Sequence, residues 1–343
     1  MNNYDFAFKK AELIYANNIY IPKNIQLNTS LSKSTAGPSS GSVSIAFTFG
    51  EKNVKMDVSS CEKEEFHLNL NNGNFQIVKN GEIFLENVEI LPILFHAPRQ
   101  AFLNIENRCI NNCAFCHLSK QKNCINHNDD TYIHLIQQAS HRKDFHSIAL
   151  TSGIYPNTYE IAKRLSNIII KIKQKMPDTC IGVETCISNQ NEISMIKDAG
   201  ADELKINLQI PDRELFKKIC PDLDYDDILL YLEEAVKIFG KGKVSSNIIF
   251  GIGESDESLI SSINRLTKIG VVPTLRKIRI NNLNENKIIK ATSKKIPNIG
   301  ANRILEVALT HKEILEKYNL TTKTFETMCH KCGCCDLVPY WDI

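Results

Sequence analysis

Up to about residue 95 the chain alternates apolar and polar positions in short runs. "SVSIAFTFG", "NVKMDVS", "FHLNL", "FQIVK" and "EIFLE" each carry the two-residue period of a half-buried strand. "NNGN" and "KNGE" separate the last three. Asn-Gly accepts positive φ at little cost, so both predict tight hairpin turns. The polar stretch "SLSKSTAGPSSGS", from Ser30 to Ser42, predicts a loop. The expectation is a small antiparallel β module over residues 1–95.

From about residue 100 the rhythm changes. Six strand-like runs appear: "AFLNIENR", "SIALTSG", "CIGVETC", "ELKINLQI", "KVSSNIIFGIG" and "VVPTLRKIRI". Helical segments alternate with them: "TYIHLIQQASHR", "TYEIAKRLSNIIIKIKQKM", "NEISMIKDAG", "YDDILLYLEEAVKIFG" and "ESLISSINRLTKIG". In the second of these, Ile161, Leu165, Ile168 and Ile172 mark one apolar helix face. Gly200, Gly240 and Gly270 end helical segments, where a left-handed residue is expected. "ANRILEVALTHKEILEKYNL" predicts one more helix before the tail "ETMCHKCGCCDLVPYWDI". Strands alternating with helices imply parallel βα units in a barrel or an open sheet. In such folds chemistry gathers beyond the C-terminal strand ends. There the sequence sets Cys109 onward, Thr151-Ser152-Gly153, Glu184, Asn207 and Gly251 to Glu254.

Composition narrows the function classes. A net charge of +2 over 343 residues offers no basic field for nucleic acid or an anionic membrane. No run of about 18 apolar residues is present to span a bilayer. "MNNYDFAFKKAELIYANN" lacks the apolar core of a leader, so a cytoplasmic protein with reduced thiols is expected. Twelve cysteines in that setting point to metal, and seven of them crowd into two short clusters. Cys61, Cys124, Cys180, Cys186 and Cys220 stand alone and read as core or incidental. "NNLNENKIIKATSKK" reads as solvated loop.

The first cluster is "CINNCAFCH", with Cys109, Cys113 and Cys116 at spacing C-x3-C-x2-C and His117 adjoining. Three readings stand. Structural zinc could take the three thiolates and the imidazole, although adjacent Cys116 and His117 are awkward ligands for one tetrahedral ion. "CAFCH" also fits the haem-attachment spacing, a chemistry that usually accompanies export. A [4Fe–4S] cluster normally takes four cysteines, so three on a tight loop would leave one iron open to an external ligand.

The loop resembles that of the radical S-adenosylmethionine (radical SAM) enzymes: C-x3-C-x2-C with an aromatic, Phe115, before the last cysteine, after the first strand of a βα array. The resemblance covers about residues 100–285. It implies an α/β fold, a (β/α)6 partial TIM barrel over residues 96–310, flanked by the β-rich module and a short Cys-rich extension over 311–343. It further implies a [4Fe–4S] cluster on Cys109, Cys113 and Cys116 whose open iron holds SAM. Reduction would cleave SAM to methionine and a 5′-deoxyadenosyl radical that removes hydrogen from an unactivated C–H. Ser152 and Gly153 occupy the place of the motif that receives the methionine amino group, and Glu184 that of a polar strand residue touching SAM. "KINLQIPDRELFKKICPDLDYDDILLYLEEAVKIFGKGKVSSNIIFGIGESDESL" is most similar to biotin synthase. By that likeness Asn207 and Gln209 face the ribose, and Ile249, Gly251, Gly253 and Glu254 lie along the adenine. Asn247 replaces the motif's first glycine, and Leu223 stands where an arginine would hold the SAM carboxylate, leaving Lys205 as the candidate cation. Each matched residue also has a plain structural reading. Gly251 and Gly253 suit a strand-to-helix turn, Glu254 a helix first turn, and Asn207 a barrel backbone partner.

The second cluster, "CHKCGCC", sets Cys329, Cys332, Cys334 and Cys335 in the tail. Zinc pinning the tail is one reading. An auxiliary [4Fe–4S] cluster on three of the four is the other, by likeness to two-cluster relatives such as lipoyl synthases, whose extra cysteines precede the barrel instead. The expected partners are a one-electron reductant such as ferredoxin or flavodoxin and a small-molecule or carrier-bound substrate, with no nucleic acid and no membrane. Sulfur insertion from the tail cluster is the expected further step. The alternatives are other radical chemistry (methylation, rearrangement or peptide modification) with the tail cluster as electron or substrate site, and a non-catalytic zinc or iron–sulfur scaffold.

Overall fold

The computed structural model describes residues 3–27, 31–33, 42–118 and 126–343. Cys124 and most of the expected loop from Ser30 to Ser42 lie outside the described residues. The chain opens with a helix, α1 (Asn3–Ala16), where only strands were expected. Its apolar positions follow a helical period, but Lys10 sits among them and is fully buried, which breaks the pattern a reader looks for.

The β module comprises β1 (Asn18–Tyr20), β2 (Ser32–Lys33), β3 (Val43–Phe49), β4 (Lys52–Ser59), β5 (Phe66–Asn71), β6 (Asn74–Lys79) and β7 (Glu82–Leu91). Their order is β2-β3-β4-β1-β5-β6-β7, and β3 also pairs with β7, so the sheet closes on itself. It is not purely antiparallel, because β1 runs parallel to both β4 and β5. The two hairpins turn at Asn72-Gly73 and Asn80-Gly81, all four at positive φ. Closure leaves one interior, filled by Leu13, Ile19, Phe47, Met56, Phe66, Leu68 and Ile77 among others.

A second sheet begins with the short strands β8 (Ile93–Leu94) and β9 (Ala97–Pro98). Six parallel strands follow: β10 (Gln100–Asn104), β11 (Ser147–Thr151), β12 (Ile181–Glu184), β13 (Glu203–Lys205), β14 (Val244–Phe250) and β15 (Val272–Lys277). They are neighbours in chain order, which makes a half-barrel rather than a doubly wound sheet. Between them run α2 (Asp129–Ser140), α3 (Thr158–Lys175), α4 (Gln190–Asp198), α5 (Arg213–Ile219), α6 (Tyr225–Phe239) and α7 (Asp256–Lys268). Each starts at an Asn, Asp or Ser whose side chain accepts a first-turn N–H: Asn128, Asn157, Asn189, Asp212, Asp224 and Ser255. The outer strand face is apolar, with Ala101, Leu103, Ile148, Leu150, Ile181, Val183 and Leu204 packed under the helices. Ile161, Leu165, Ile168 and Ile172 of α3 are buried in this core, each contributing about 1.5–3 kcal/mol.

The inner face is different. The register aligns Asn104, Thr151, Glu184 and Lys205 across four strands, and Gln100, Glu203, Thr274 and Arg276 fall on the same face. Buried charges at alternate positions of a doubly covered strand are what a site requires and what packing alone avoids.

Two helices follow β15. In α8 (Glu285–Thr292), Ile288 and Thr292 lie one turn apart and are buried, and the helix packs on α5. This corrects the solvated-loop reading of that Lys- and Asn-rich stretch. The expected last helix is α9 (Ala301–Lys317), packed on α1, α7 and β15. The tail then enters the half-barrel with a 3-10 turn (Thr322–Thr324) and a short helix, α10 (Met328–Cys332).

His311 of α9 is buried, and neither ring nitrogen has a hydrogen-bond partner among the described residues. Burial, then the neighbouring His330, pulls its pKa from 6.5 down to about 3. The unfolded chain takes up this proton near pH 6.5 and the native protein does not, so stability is full above 6.5 and falls as pH drops toward 3. The loss amounts to on the order of 4 kcal/mol. Urea unfolding of the metal-free protein between pH 7 and pH 4 should show it, and His311→Phe should flatten the slope.

Candidate functional site at the barrel rim

The loop after β10 is built by its backbone. Ile105 N–H donates to Thr151 O at 2.9 Å, Gly153 N–H to Glu106 O at 2.8 Å and Ile110 N–H to Ile154 O at 2.8 Å, so the loops after β10 and β11 are laced together. Ala114 N–H donates to Ile219 O at 2.8 Å, and Asn112 N–H to the Asp222 carboxylate at 2.6 Å, which ties the loop to the end of α5. Within it, Glu106 is buried and accepts from Arg108 through Nε at 2.9 Å and Nη2 at 2.8 Å. Burial pushes this carboxyl up, but the hydrogen bonds from Arg108 and Asn126 outweigh it and hold the pKa below the ordinary carboxylate value. The Arg108 guanidinium stacks over Tyr155, 4.0 Å from the ring centroid. Neither Glu106 nor Arg108 was singled out from the sequence; "NIENR" offers an internal Glu-x-Arg brace as its signal.

Cys113 and Phe115 are buried, while Cys109 and Cys116 are half-buried. Two cysteines that stand alone in the sequence join them. The Cys220 thiol is hydrogen-bonded to Cys113, and this contact, together with burial, holds the Cys113 thiol well above its usual value. Cys186, just past β12, is pushed up by burial and then by the charges of Cys113, Cys109 and Cys116, and its Sγ lies 4.0 Å from Asn111 Nδ2 of the same loop.

The remaining expected residues form one polar band across the strand ends. Ser152 Oγ and Thr185 Oγ1 are 3.1 Å apart. Asn207 Nδ2 donates to Glu184 at 2.7 Å, and Asn207 Oδ1 accepts from Asn247 N–H at 3.0 Å. Gln209 sits at φ 66° and bridges the strand ends, donating N–H to Asn247 O at 2.8 Å and accepting from Ile249 N–H at 2.6 Å. The Glu254 carboxylate takes three consecutive N–H groups, those of Gly251, Ile252 and Gly253, at 2.6, 2.9 and 3.1 Å. It precedes α7 and folds its own turn, so it is not the first-turn acid of the plain reading. Asn247, the departure from the glycine motif, presents a buried Oδ1 with no partner among the described residues. A buried acceptor of this kind calls for a donor.

The tail lies inside the barrel. Glu203 accepts from Glu326 N–H at 2.7 Å, Thr327 N–H at 3.1 Å and Thr327 Oγ1 at 2.5 Å. Gln100 exchanges two bonds with Met328. At the next residue, Cys329 Sγ is 3.1 Å from Lys205 Nζ and 3.4 Å from Arg276 Nη2. Lys205 Nζ is also 3.8 Å from Glu184, so it joins the tail to the rim band. Lys205, the candidate carboxylate cation of the sequence reading, thus stands between a tail thiol and the rim band. Cys332 and Cys334 are hydrogen-bonded to each other. This contact, aided by Lys55 and Lys10, lowers the Cys332 thiol to about 7 and raises that of Cys334.

Among the described residues no three His, Cys, Asp or Glu side chains converge as ligands of one metal ion. A four-iron cluster asks for something else, since each thiolate serves its own iron and the sulfurs stand apart. Three thiols on a braced rim loop, two half-buried and one buried, with an unsatisfied buried acceptor in the band beside them, fit such a cluster and a polar ligand. Leu223 offers no cation for a carboxylate.

Comparison with known proteins agrees. Residues 103–266 match the Radical SAM superfamily. The lipoyl synthase of Buchnera aphidicola subsp. Schizaphis graminum is 25% identical over 194 residues, covering 53% of this chain and 57% of its own. The biotin synthase of Cutibacterium acnes is 29% identical over 128 residues, covering 36% and 33%. The chain therefore spans about a third to just over half of these relatives' lengths. Among solved structures, methylornithine synthase (PylB) superposes with a TM-score of 0.52 at 18% identity, covering 62% of each chain. The FeFe-hydrogenase maturase HydG from Carboxydothermus hydrogenoformans gives 0.52 at 18%, covering 64% of this chain and 52% of its own. At that identity the structural likeness concerns the fold alone.

Proposed function

The chain belongs to the radical SAM superfamily, whose members use a [4Fe–4S] cluster and SAM, and from that premise we propose that it is an enzyme removing hydrogen from an unactivated C–H of a small-molecule or carrier-bound substrate. The observation that carries this reading is the braced loop bearing Cys109, Cys113 and Cys116 at the C-terminal rim, with Glu184, Asn207 and Asn247 in a polar band beside it. When bound, the cluster and SAM supply one-electron cleavage of the C5′–S bond and the 5′-deoxyadenosyl radical. The chain's part is to hold and orient. Cys109, Cys113 and Cys116 are the ligands, and Cys220 sits against Cys113. Ser152 and Glu184 meet the amino acid end of SAM, Asn207 and Gln209 the ribose, and Ile249 with the Gly251–Gly253 turn the adenine. Glu254 serves indirectly by folding that turn. Asn247 adds an acceptor where the motif has glycine. A one-electron donor of the ferredoxin or flavodoxin class is required.

In the tail, Cys329, Cys332 and Cys335 are the proposed ligands of a second [4Fe–4S] cluster, with Cys334 packed against Ala46 and Leu91 as the spare thiol. Sulfur insertion is the finer reading. It is supported by Cys329 of the tail lying inside the same barrel, joined to the rim through Lys205.

Anaerobically reconstituted protein with dithionite and SAM should yield 5′-deoxyadenosine, and Cys113→Ala should lower that yield more than about a hundredfold. Undiminished formation by Cys113→Ala would remove the loop from the reaction. A colourless protein holding zinc alone would favour a scaffold. Mass spectrometry of the modified product, with tail cysteines intact and mutated, separates sulfur insertion from an electron or substrate role.

A further inference from the structure

The β module lies outside residues 103–266, and the superfamily reading gives it nothing to do. Its contacts with the tail are specific. Three successive tail carbonyls each accept from a different donor of the module. Cys332 O takes Asn53 Nδ2 at 3.1 Å, Gly333 O takes Lys10 Nζ at 2.5 Å, and Cys334 O takes Lys55 N–H at 2.9 Å. Lys10 has no solvent exposure and also binds the Asp342 carboxylate at 2.6 Å, which in turn accepts Val338 N–H at 2.7 Å. The Cys334 side chain sits in an apolar contact with Ala46 and Leu91. At the other end of the same stretch, Glu203 and Gln100 grip residues 326–328. The cysteines are thus held from the barrel on one side and from the module on the other.

A carbonyl turned toward a donor fixes its peptide plane, and the next N–H must point the opposite way. Three such planes in a row leave the Cys332–Cys335 turn almost no freedom. A cluster site needs that, because ligand geometry rather than thiol number decides affinity. A tail of this length has no core of its own to supply the rigidity. The donors are a buried ammonium, a side-chain amide and a backbone N–H, so they add no competing ligand.

We propose that the N-terminal module is the assembly template of the tail metal site, with Lys10 and Asn53 as positioning residues that hold the Cys332–Cys334 backbone for metal; this rests on the reading of the tail as a metal site. The module therefore acts on the second cluster.

The test uses the full chain with Cys109, Cys113 and Cys116 changed to Ala, so that only tail metal remains. Iron and sulfide per chain are measured after anaerobic reconstitution, followed by the rate of iron release to a chelator. Lys10→Met should speed release by about tenfold or more, and Asn53→Ala, which strands no buried charge, by a few-fold. In protein with the loop cysteines intact, both variants should still cleave SAM at the rim, which shows that the barrel has folded. Release rates equal to the parent in both variants would overturn the proposal while leaving the tail cluster standing. If the loop-less parent binds neither iron nor zinc, the tail reading falls and the template role falls with it.

Discussion

Gly153→Ala is expected to abolish cluster binding at the rim and to lower 5′-deoxyadenosine formation by about a hundredfold or more. A Cβ at this position would stand 2.2 Å from the Arg108 carbonyl oxygen, 3.0 Å from its carbon and 3.1 Å from Glu106 O. All three are backbone atoms, so no flexible side chain can swing aside. The loops after β10 and β11 would have to part, breaking the Gly153 N–H to Glu106 O bond and loosening the Ile110 to Ile154 bond that sets Cys109. Gly153 thus appears in the sequence as part of a cofactor motif, whereas its first task is to let two backbones touch. Iron analysis, with circular dichroism to show a folded chain, checks this. Full rim iron together with normal SAM cleavage in Gly153→Ala would refute it.

The second large effect is Gly182→Ala in β12. Its Cβ would lie 2.0 Å from Thr327 Oγ1 and 2.9 Å from both Thr327 Cβ and Met328 Cε. Thr327 has no room to yield, because it is fully buried and its hydroxyl and N–H are held by Glu203. Displacing the tail would strip the buried Glu203 carboxylate of its donors, at about 1–3 kcal/mol for each bond lost. Burial already raises the Glu203 pKa against the bonds from Thr327 and Glu326, which work to lower it. The expected result is a tail open to protease and empty of metal, beside a rim loop that still cleaves SAM. Adding Thr327→Ala removes the 2.0 Å contact and should restore part of the tail metal. A protected, metal-loaded tail in Gly182→Ala would count against the tail's seat in the barrel.

The two predictions separate the sites. One disrupts the rim from a neighbouring loop, the other disrupts the tail from a strand floor, and each leaves the other site as its internal control. With the template test, they assign each cluster its own supporting residues.

Much of this was legible without coordinates. Five of the six parallel strands fall within the runs marked as strands and the first starts one residue before its own, while the helices between them follow from their apolar spacing, except the short α5, which was not marked. Both are local properties, set by residues a few positions apart. So is the three-cysteine loop, whose thiols lie within eight residues of one another. The sequence also placed this loop correctly at a strand's C-terminal end, since strand order and chain direction determine that rim.

Tertiary structure alone decided the rest. α1 hides behind Lys10, which is buried only because Asp342 and Gly333 O, more than three hundred residues away, receive its charge. The closure of the β module depends on β3 meeting β7, and nothing in either strand announces a partner. Cys186 and Cys220 look solitary because the strands and helices that bring them to Cys113 are far apart in sequence. The tail was readable as a metal motif, but its seat inside the barrel was not. That seat requires a glycine in β12, a carboxylate in β13 and a lysine in α1 to converge on seven residues. By itself the sequence determined the elements and the ligand types, which depend on near neighbours. Which groups share a site was decided by long-range packing, where each contact is made by residues that carry no mark of one another.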